Sequence, residues 1–255
     1  MELVAGSHGL VCRILGDFEV RCDGRPRTPG APKARQVLAL LLVRSGEVVG
    51  VPALIEELWD GRPPRSAVST VQSYVHQLRR RLGDGVIETR PAGYVLHLSP
   101  DALDACVFDR AVEEAQTALE QGDARAAARA AGAALDLWRG RMLGGVQPGR
   151  HLRGHLVRLE ERRTRALELR LQAEMELGRH RELVAELREV VAAHPLNEWF
   201  HGLLIEALRR SGRRKEALDA YQDLRRVLRD ELGLDPAPEL QHLQREVLSG
   251  AVPSA

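Results

Sequence analysis

The residues best suited to chemistry lie between Arg62 and Gly83. Ser69, Thr70, Ser73, Tyr74, Gln77 and Arg80 recur at a spacing that places them on one helical face, with His76 and Arg79 flanking it. No Asp or Glu interrupts this stretch. Hydroxyls, a carboxamide and guanidinium groups hydrogen-bond to phosphate oxygens and base edges, whereas a carboxylate there would be repelled by phosphate. The chemistry on offer is recognition of duplex DNA. Arg90, beside the Pro91-Ala92-Gly93 turn, is placed to reach a minor groove or a phosphate. An arginine run such as Arg79-Arg80-Arg81 is by itself an ordinary solvated face. The helix, the proline-rich loop before it and the hairpin after it carry the reading together.

The chain offers little for catalysis. A phosphate-cradling loop needs Gly-Lys followed by Ser or Thr, but Lys33 precedes Ala34 and Lys215 precedes Glu216. His151 and His155 stand four residues apart, as metal ligands on a helix do, yet the glutamate of a metalloprotease motif is missing between them. No serine occupies a nucleophile elbow, and Cys106 beside Val107-Phe108 reads as core. Cys12, Cys22 and Cys106 lack paired spacing, so neither a disulfide framework nor zinc is expected. The expectation is no enzyme activity, no metal and no cofactor, in a reducing cytoplasm.

The elements that must position these residues follow from pattern and punctuation. Residues 10–28 alternate apolar and polar positions around Gly16-Asp17 and Asp23-Gly24, which predicts short antiparallel strands. Pro32 precedes a helix with Val37, Leu38, Leu40, Leu41 and Leu42 inside, ending near Ser45-Gly46. A short helix opens at Pro52, buries Leu54, Ile55, Leu58 and Trp59, and closes at Asp60-Gly61. Pro63-Pro64 cannot continue it. A third helix spans Ser66–Leu82 on the stripe Val68, Val71, Val75, Leu78 and Leu82, and a hairpin of Val86–Arg90 and Tyr94–Leu98 follows.

From about Asp104 the texture becomes long helices rich in Ala, Leu, Arg and Glu. Gly178-Arg179-His180-Arg181-Glu182-Leu183 recurs as Gly212-Arg213-Arg214-Lys215-Glu216-Ala217, an offset of 34 residues, the tetratricopeptide period. Gly122-Asp123-Ala124 opens a third copy at an irregular distance. In the helix after Gly212, the stripe Ala217, Tyr221, Leu224, Leu228 and Leu232 is expected inside. The expected architecture is mainly α: a mixed α+β domain at 1–98, an all-α, tetratricopeptide-like helical-repeat domain at 104–250, and a disordered tail at 251–255.

With 44% hydrophobic residues the chain can bury two ordinary cores. Its net charge of +1 hides an asymmetry, because residues 1–98 carry 13 Lys and Arg against 10 Asp and Glu, leaving 24 against 26 for the remainder. Only Lys33 and Lys215 are lysines, and so arginine-rich a chain reads as codon usage as readily as phosphate binding. The N-terminus lacks a signal-peptide pattern, and no apolar run is long enough to span a membrane, so a soluble cytosolic protein is expected.

The sequence resembles the Streptomyces antibiotic regulatory proteins, whose N-terminal domain is similar to the OmpR and PhoB type of winged helix-turn-helix. The resemblance rests on Pro32-Lys33-Ala34-Arg35, Leu54-Ile55-Glu56-Glu57-Leu58-Trp59, Thr70-Val71-Gln72-Ser73-Tyr74-Val75 and Thr89-Arg90-Pro91-Ala92-Gly93-Tyr94. The second half looks like a bacterial transcriptional activator domain through Leu135-Asp136-Leu137-Trp138-Arg139-Gly140, His194-Pro195-Leu196-Asn197-Glu198 and Glu231-Leu232-Gly233-Leu234-Asp235-Pro236. The resemblance implies that helix three is the recognition helix, with positions 69, 70, 73, 74, 77 and 79 meeting DNA and Arg90 a wing contact. It implies side-by-side binding to direct repeats near the promoter −35 element and recruitment of RNA polymerase through its sigma factor. Polymerase would meet the loop carrying Asp60, Arg62 and Arg65, and the targets would be secondary-metabolite gene clusters in a nucleoid-associated setting. Neither a receiver domain nor an ATPase or forkhead-associated extension is recognised, so aspartate phosphorylation is not expected as control. Repression by promoter blocking and a pure helical scaffold are the alternatives.

Overall fold

The computed structural model describes residues 9–83 and 85–249. The expected tail at 251–255 lies outside the described residues. Strands β1 (Leu10–Arg13), β2 (Glu19–Cys22) and β3 (Arg25–Pro26) form an antiparallel sheet in that order. Cys22 pairs with Arg25 across a two-residue turn in which Asp23 and Gly24 both have positive φ, the conformation that Asp-Gly favours. Helix α1 (Pro32–Val43) starts on proline and is buried almost all round, as a central helix must be. Strand β4 (Val49–Gly50) leads into α2 (Val51–Trp59), and α3 (Ala67–Leu82) follows. Strands β5 (Ile87–Arg90) and β6 (Gly93–Leu96) form the hairpin, and β4 pairs with β6 to complete a second three-stranded sheet. Gly93 is demanded there, because a Cβ would sit 2.1 Å from the Val49 carbonyl oxygen.

After a 3-10 turn at Pro100–Ala102 the chain is helical: α4 (Asp104–Glu120), α5 (Ala124–Asp136), α6 (Arg150–Glu176), α7 (His180–Ala193), α8 (Glu198–Arg210), α9 (Arg214–Leu232) and α10 (Pro238–Ser249). The described residues pack as two compact units, one of residues up to 116 with 130–167, the other of 117–129 with 168 onward. The packing therefore does not part at 98–104, where composition changes.

Two buried carboxyl groups explain why the first unit continues past the hairpin. Glu57 on α2 is 2% exposed, and its oxygens accept from the amides of Gly149, His151 (2.9 Å) and Leu152 (3.1 Å) at the start of α6. The carboxamide of Gln36 on α1 donates to the Glu57 carbonyl (2.6 Å) and carboxyl (3.2 Å). Unpaired amides at a helix start need acceptors, and Glu57 supplies them. Asp104 accepts from the Ile14 (2.8 Å) and Leu15 (3.1 Å) amides and from Arg139 (2.8 Å). Residues 14–18 also exchange backbone hydrogen bonds with Arg139, Leu143 and Gly144.

The second unit is built on the helix-pair repeat. Gly122, Gly178 and Gly212 all have φ between 75° and 77°. After each, the next amide bonds five residues back, Asp123 to Ala118, Arg179 to Glu174 and Arg213 to Leu208, while the glycine amide bonds three back. This is the Schellman stop, and it identifies all three copies as the same helix-to-helix turn. The irregular first spacing arises because residues 137–149, between α5 and α6, run beside the N-terminal sheet instead of forming a short turn. Small residues Ala118, Ala127 and Ala173 let α4, α5 and α6 approach closely. Asn197 caps α8 by accepting from the Trp199 and Phe200 amides. In α9, Ala217, Tyr221, Leu224 and Leu228 are buried as expected, but Leu232 is 52% exposed, because it sits at the final turn before the left-handed Gly233.

Glu57→Ala should cost about 3 kcal/mol or more in denaturant unfolding of the whole chain, since each buried donor left unpaired costs about 1–3 kcal/mol. An unchanged unfolding midpoint would contradict that role. Leu224, fully buried, should on change to Ala lose about 2–5 kcal/mol through the cavity left behind, measured as a lowered melting temperature.

Candidate nucleic-acid interface

Helices α2 and α3 form a helix-turn-helix whose turn is forced by local conformation. Asp60 adopts the left-handed region (φ 46°, ψ 52°) and Gly61 has φ 82°, which stops α2 and reverses the chain. Residues 61–66 are all exposed. The candidate loop residues Arg62 and Arg65 lie here, and Asp60 stands 4.0 Å from Arg153. Nearby, the Lys33 ammonium covers the Trp59 ring at 4.2 Å and fixes the end of α2 against α1.

Helix α3 buries Ala67, Val71, Val75, Leu78 and Leu82. Val68, expected in this stripe, is 50% exposed, and Ala67 takes its place. The first turn is rotated by one residue because the tight proline loop delivers the chain with Ala67 inward, its amide bonded to the Pro64 carbonyl. Ile55 and Trp59 on α2 are likewise half-buried, and Glu57 occupies the interior between them.

The opposite face of α3 presents Ser69, Ser73, His76, Gln77 and Arg80 to solvent, with Thr70 and Tyr74 half-buried beside them. Gln72 and Arg81 are exposed as well, an addition to the face expected from the stripe. Their signal is spacing: Gln72 stands three residues after Ser69, and Arg81 four after Gln77. The hydroxyls of Ser69 and Thr70 donate to the Ser66 carbonyl, and that of Ser73 to the Ser69 carbonyl. Their lone pairs therefore point outward as acceptors, and a rotation of the hydroxyl turns each into a donor. With no acidic residue in its first turn and three arginines in its last, α3 carries no negative charge, and its positive charge is concentrated at the C-terminal end.

The structure separates Arg79 from this face. Its Nε donates to the Ile87 carbonyl (2.9 Å) and its guanidinium to the Thr89 hydroxyl (2.7 Å), and it lies over the Tyr94 ring at 6.0 Å. Arg79 thus ties the helix to the hairpin. On the hairpin, Arg90 pairs with Glu88 (2.9 Å), and the same Glu88 oxygen meets His97 Nε2 (2.9 Å). The His97 hydrogen bond first, and Arg90 beside it, hold the Glu88 carboxyl below the usual range.

The groups set aside for catalysis are placed as ordinary structure. His151 pairs with Glu56, whose carboxyl is lowered chiefly by Arg150 and then by His151. Burial, chiefly, lowers the His155 ring and raises the Cys106 thiol, and it pushes Cys12 up to about 12. Among the described residues no cluster of three His, Cys, Asp or Glu side chains could hold a metal, and no helix is long and apolar enough to cross a membrane.

Residues 25–96 match the family model "Transcriptional regulatory protein, C terminal", and residues 103–248 match "Bacterial transcriptional activator domain". These matches part near the compositional boundary, whereas the packing parts within α4, α5 and α6. Over 246 residues the chain is 40% identical to the regulatory protein DnrI of Streptomyces peucetius, covering 92% of this chain and 90% of that one. It is 42% identical over 236 residues to the regulatory protein AfsR of Streptomyces coelicolor, again over 92% of this chain but only 24% of the relative. The solved structure of Mycobacterium tuberculosis EmbR superposes with a TM-score of 0.91 at 33% identity, covering 96% of this chain and 66% of that one. The chain belongs to the Streptomyces antibiotic regulatory protein family, with a winged helix followed by a helical activator domain, and is a transcriptional activator rather than an enzyme.

Proposed function

We propose that the chain activates a secondary-metabolite gene cluster by seating α3 in the major groove of duplex DNA, with the β5–β6 hairpin on the adjacent backbone or minor groove. The observation that carries this reading is the exposed, carboxylate-free face of α3, where Ser69, Ser73, Gln77 and Arg80 stand together. A helix of 16 residues is about 24 Å long, and the major groove, about 12 Å wide, admits one. Residues 1–98 supply the DNA contacts in this reading, and residues 104–250 the protein contacts. Side-by-side binding to direct repeats near the −35 element, and contact of the Asp60 to Arg65 loop with the sigma-bearing polymerase, rest on the family likeness. A cytoplasmic, nucleoid-associated protein fits that work.

The site residues divide by chemistry into readers and holders. Tyr74→Ala and Gln77→Ala should change which duplexes are preferred, each weakening the preferred duplex by about 1–3 kcal/mol, the discrimination a good side-chain–base pairing supplies. Arg80→Ala should weaken binding to all duplexes and flatten log affinity against log salt by about 0.9. Arg79→Ala should leave that slope nearly unchanged, because its guanidinium is already committed to the hairpin. Fluorescence anisotropy with the whole chain across a salt series measures all four. A slope that flattened equally for Arg79 and Arg80 would place Arg79 on the DNA.

Activation can be separated from occupancy. Replacing Asp60, Arg62 and Arg65 together by Ala should reduce transcript from a target promoter with purified polymerase, at DNA occupancy matched to the wild type. Equal transcript would remove the loop from the activating surface, and a fall in transcript on adding the wild-type chain would make it a repressor.

A further inference from the structure

The hairpin carries a carboxylate where a surface that meets phosphate would be expected to carry none. Glu88 and Arg90 are two residues apart on β5 and so share one face of the strand. Ile87 and Thr89, before and between them, are held by Arg79 from α3. The hairpin is thus fastened to α3 by one arginine, while its second arginine is held by its own neighbour. Arg90 and Glu88 are both well exposed, at 50% and 40% of their side chains, so the pair lies open to any approaching anion. His97, just beyond β6, grips the same Glu88 oxygen from the other strand.

We propose that Glu88 sets the strength of the DNA contact made by the hairpin: it occupies the Arg90 guanidinium in the free protein, and binding exchanges this carboxylate for a backbone phosphate. The inference rests on the DNA-binding reading above and adds to it a residue that opposes binding. The exchange is balanced, one anion replacing another on the same cation. Its net gain is therefore smaller than that of an arginine presented free. His97 gives the released carboxylate a partner, so that Glu88 stays on the strand instead of following Arg90 toward the duplex. Its carboxyl, held low by His97 and Arg90, remains charged and effective as a competitor at neutral pH.

The test uses four whole-chain proteins: wild type, Glu88→Gln, Arg90→Gln and the double variant, each checked for an unchanged melting temperature. Binding is measured by anisotropy on a duplex selected by the wild type from a random pool, and on one unrelated duplex, across a salt series. Glu88→Gln should bind both duplexes about twofold to fivefold more tightly at low salt, the scale of an exposed ion pair. Its slope should change little, because Arg90 meets the same phosphate in both proteins and only the competition for its guanidinium is removed. In the Arg90→Gln background the same change should have no effect. A gain that persists there would show that Glu88 merely repels DNA and would overturn the exchange, as would the absence of any gain. Binding without a gain defeats this inference alone, whereas failure of all four proteins to bind either duplex defeats the DNA-binding reading as well.

Discussion

The interaction on which the rest depends is the burial of Glu57. Its side chain leaves the first helix of the helix-turn-helix and enters the interior, where amides at the start of α6 and the Gln36 carboxamide satisfy it. A carboxyl group removed from water is costly unless its oxygens are fully bonded, so the arrangement tolerates little displacement of any partner. It fixes the roll of α2 about its own axis. Through a left-handed Asp60 and a short proline loop, α2 then delivers the chain to α3. The apolar stripe of α3 sets which of its faces is buried, and the anchored α2 gives that stripe a fixed surface to pack on.

The same reasoning accounts for where the first unit ends. Asp104 opens α4 and at the same time accepts the amides of Ile14 and Leu15, which would otherwise be unpaired beside β1. The backbone exchange between residues 14–18 and 139–144 continues those contacts. Buried backbone groups in the connection between β1 and β2 need partners, and here a segment of the helical half supplies them. The DNA-binding fold therefore borrows structure from residues that sequence comparison assigns to the activator domain.

What the sequence reveals and what it hides follow one physical line. The stripes in α1 and α9, the Asp23-Gly24 turn, the helix stops at Gly178 and Gly212 and the burial of Tyr221 and Leu224 are all legible, since each is set by residues within one turn or one repeat. The burial of Glu57 is not, because periodicity reports whether a residue is apolar and not which distant amides await it. Strand β4 leaves no trace either, because two residues, Val49 and Gly50, carry no alternation. Spacing alone puts Val68 and Leu232 inside, and both lie at helix ends, where the adjoining loop decides orientation. The exposed face of α3 is nearly complete in the sequence, lacking Gln72 and Arg81, because a solvent face is the complement of a stripe and inherits its register.

Arginine number is a poor guide to how many free cations this surface holds. Arg62, Arg65, Arg79, Arg80, Arg81 and Arg90 lie on the helix-turn-helix and hairpin. Arg79 is consumed by the Ile87 carbonyl and the Thr89 hydroxyl, and Arg90 by Glu88. Three consecutive arginines thus have two different fates, which follow from the roughly 100° step of the helix: Arg79 faces the hairpin, while Arg80 and Arg81 turn to solvent. Arg79 holds the hairpin against α3, and the charge of Arg90 is offset by Glu88 on its own strand. In the proposed DNA interface, fewer free cations would mean less reliance on the sequence-independent attraction of the backbone and more on the hydroxyl, phenol and carboxamide groups of α3. That balance suits a protein that must find particular promoters among a great excess of unrelated DNA, because nonspecific affinity is set by the cations and discrimination by the groups that reach the bases.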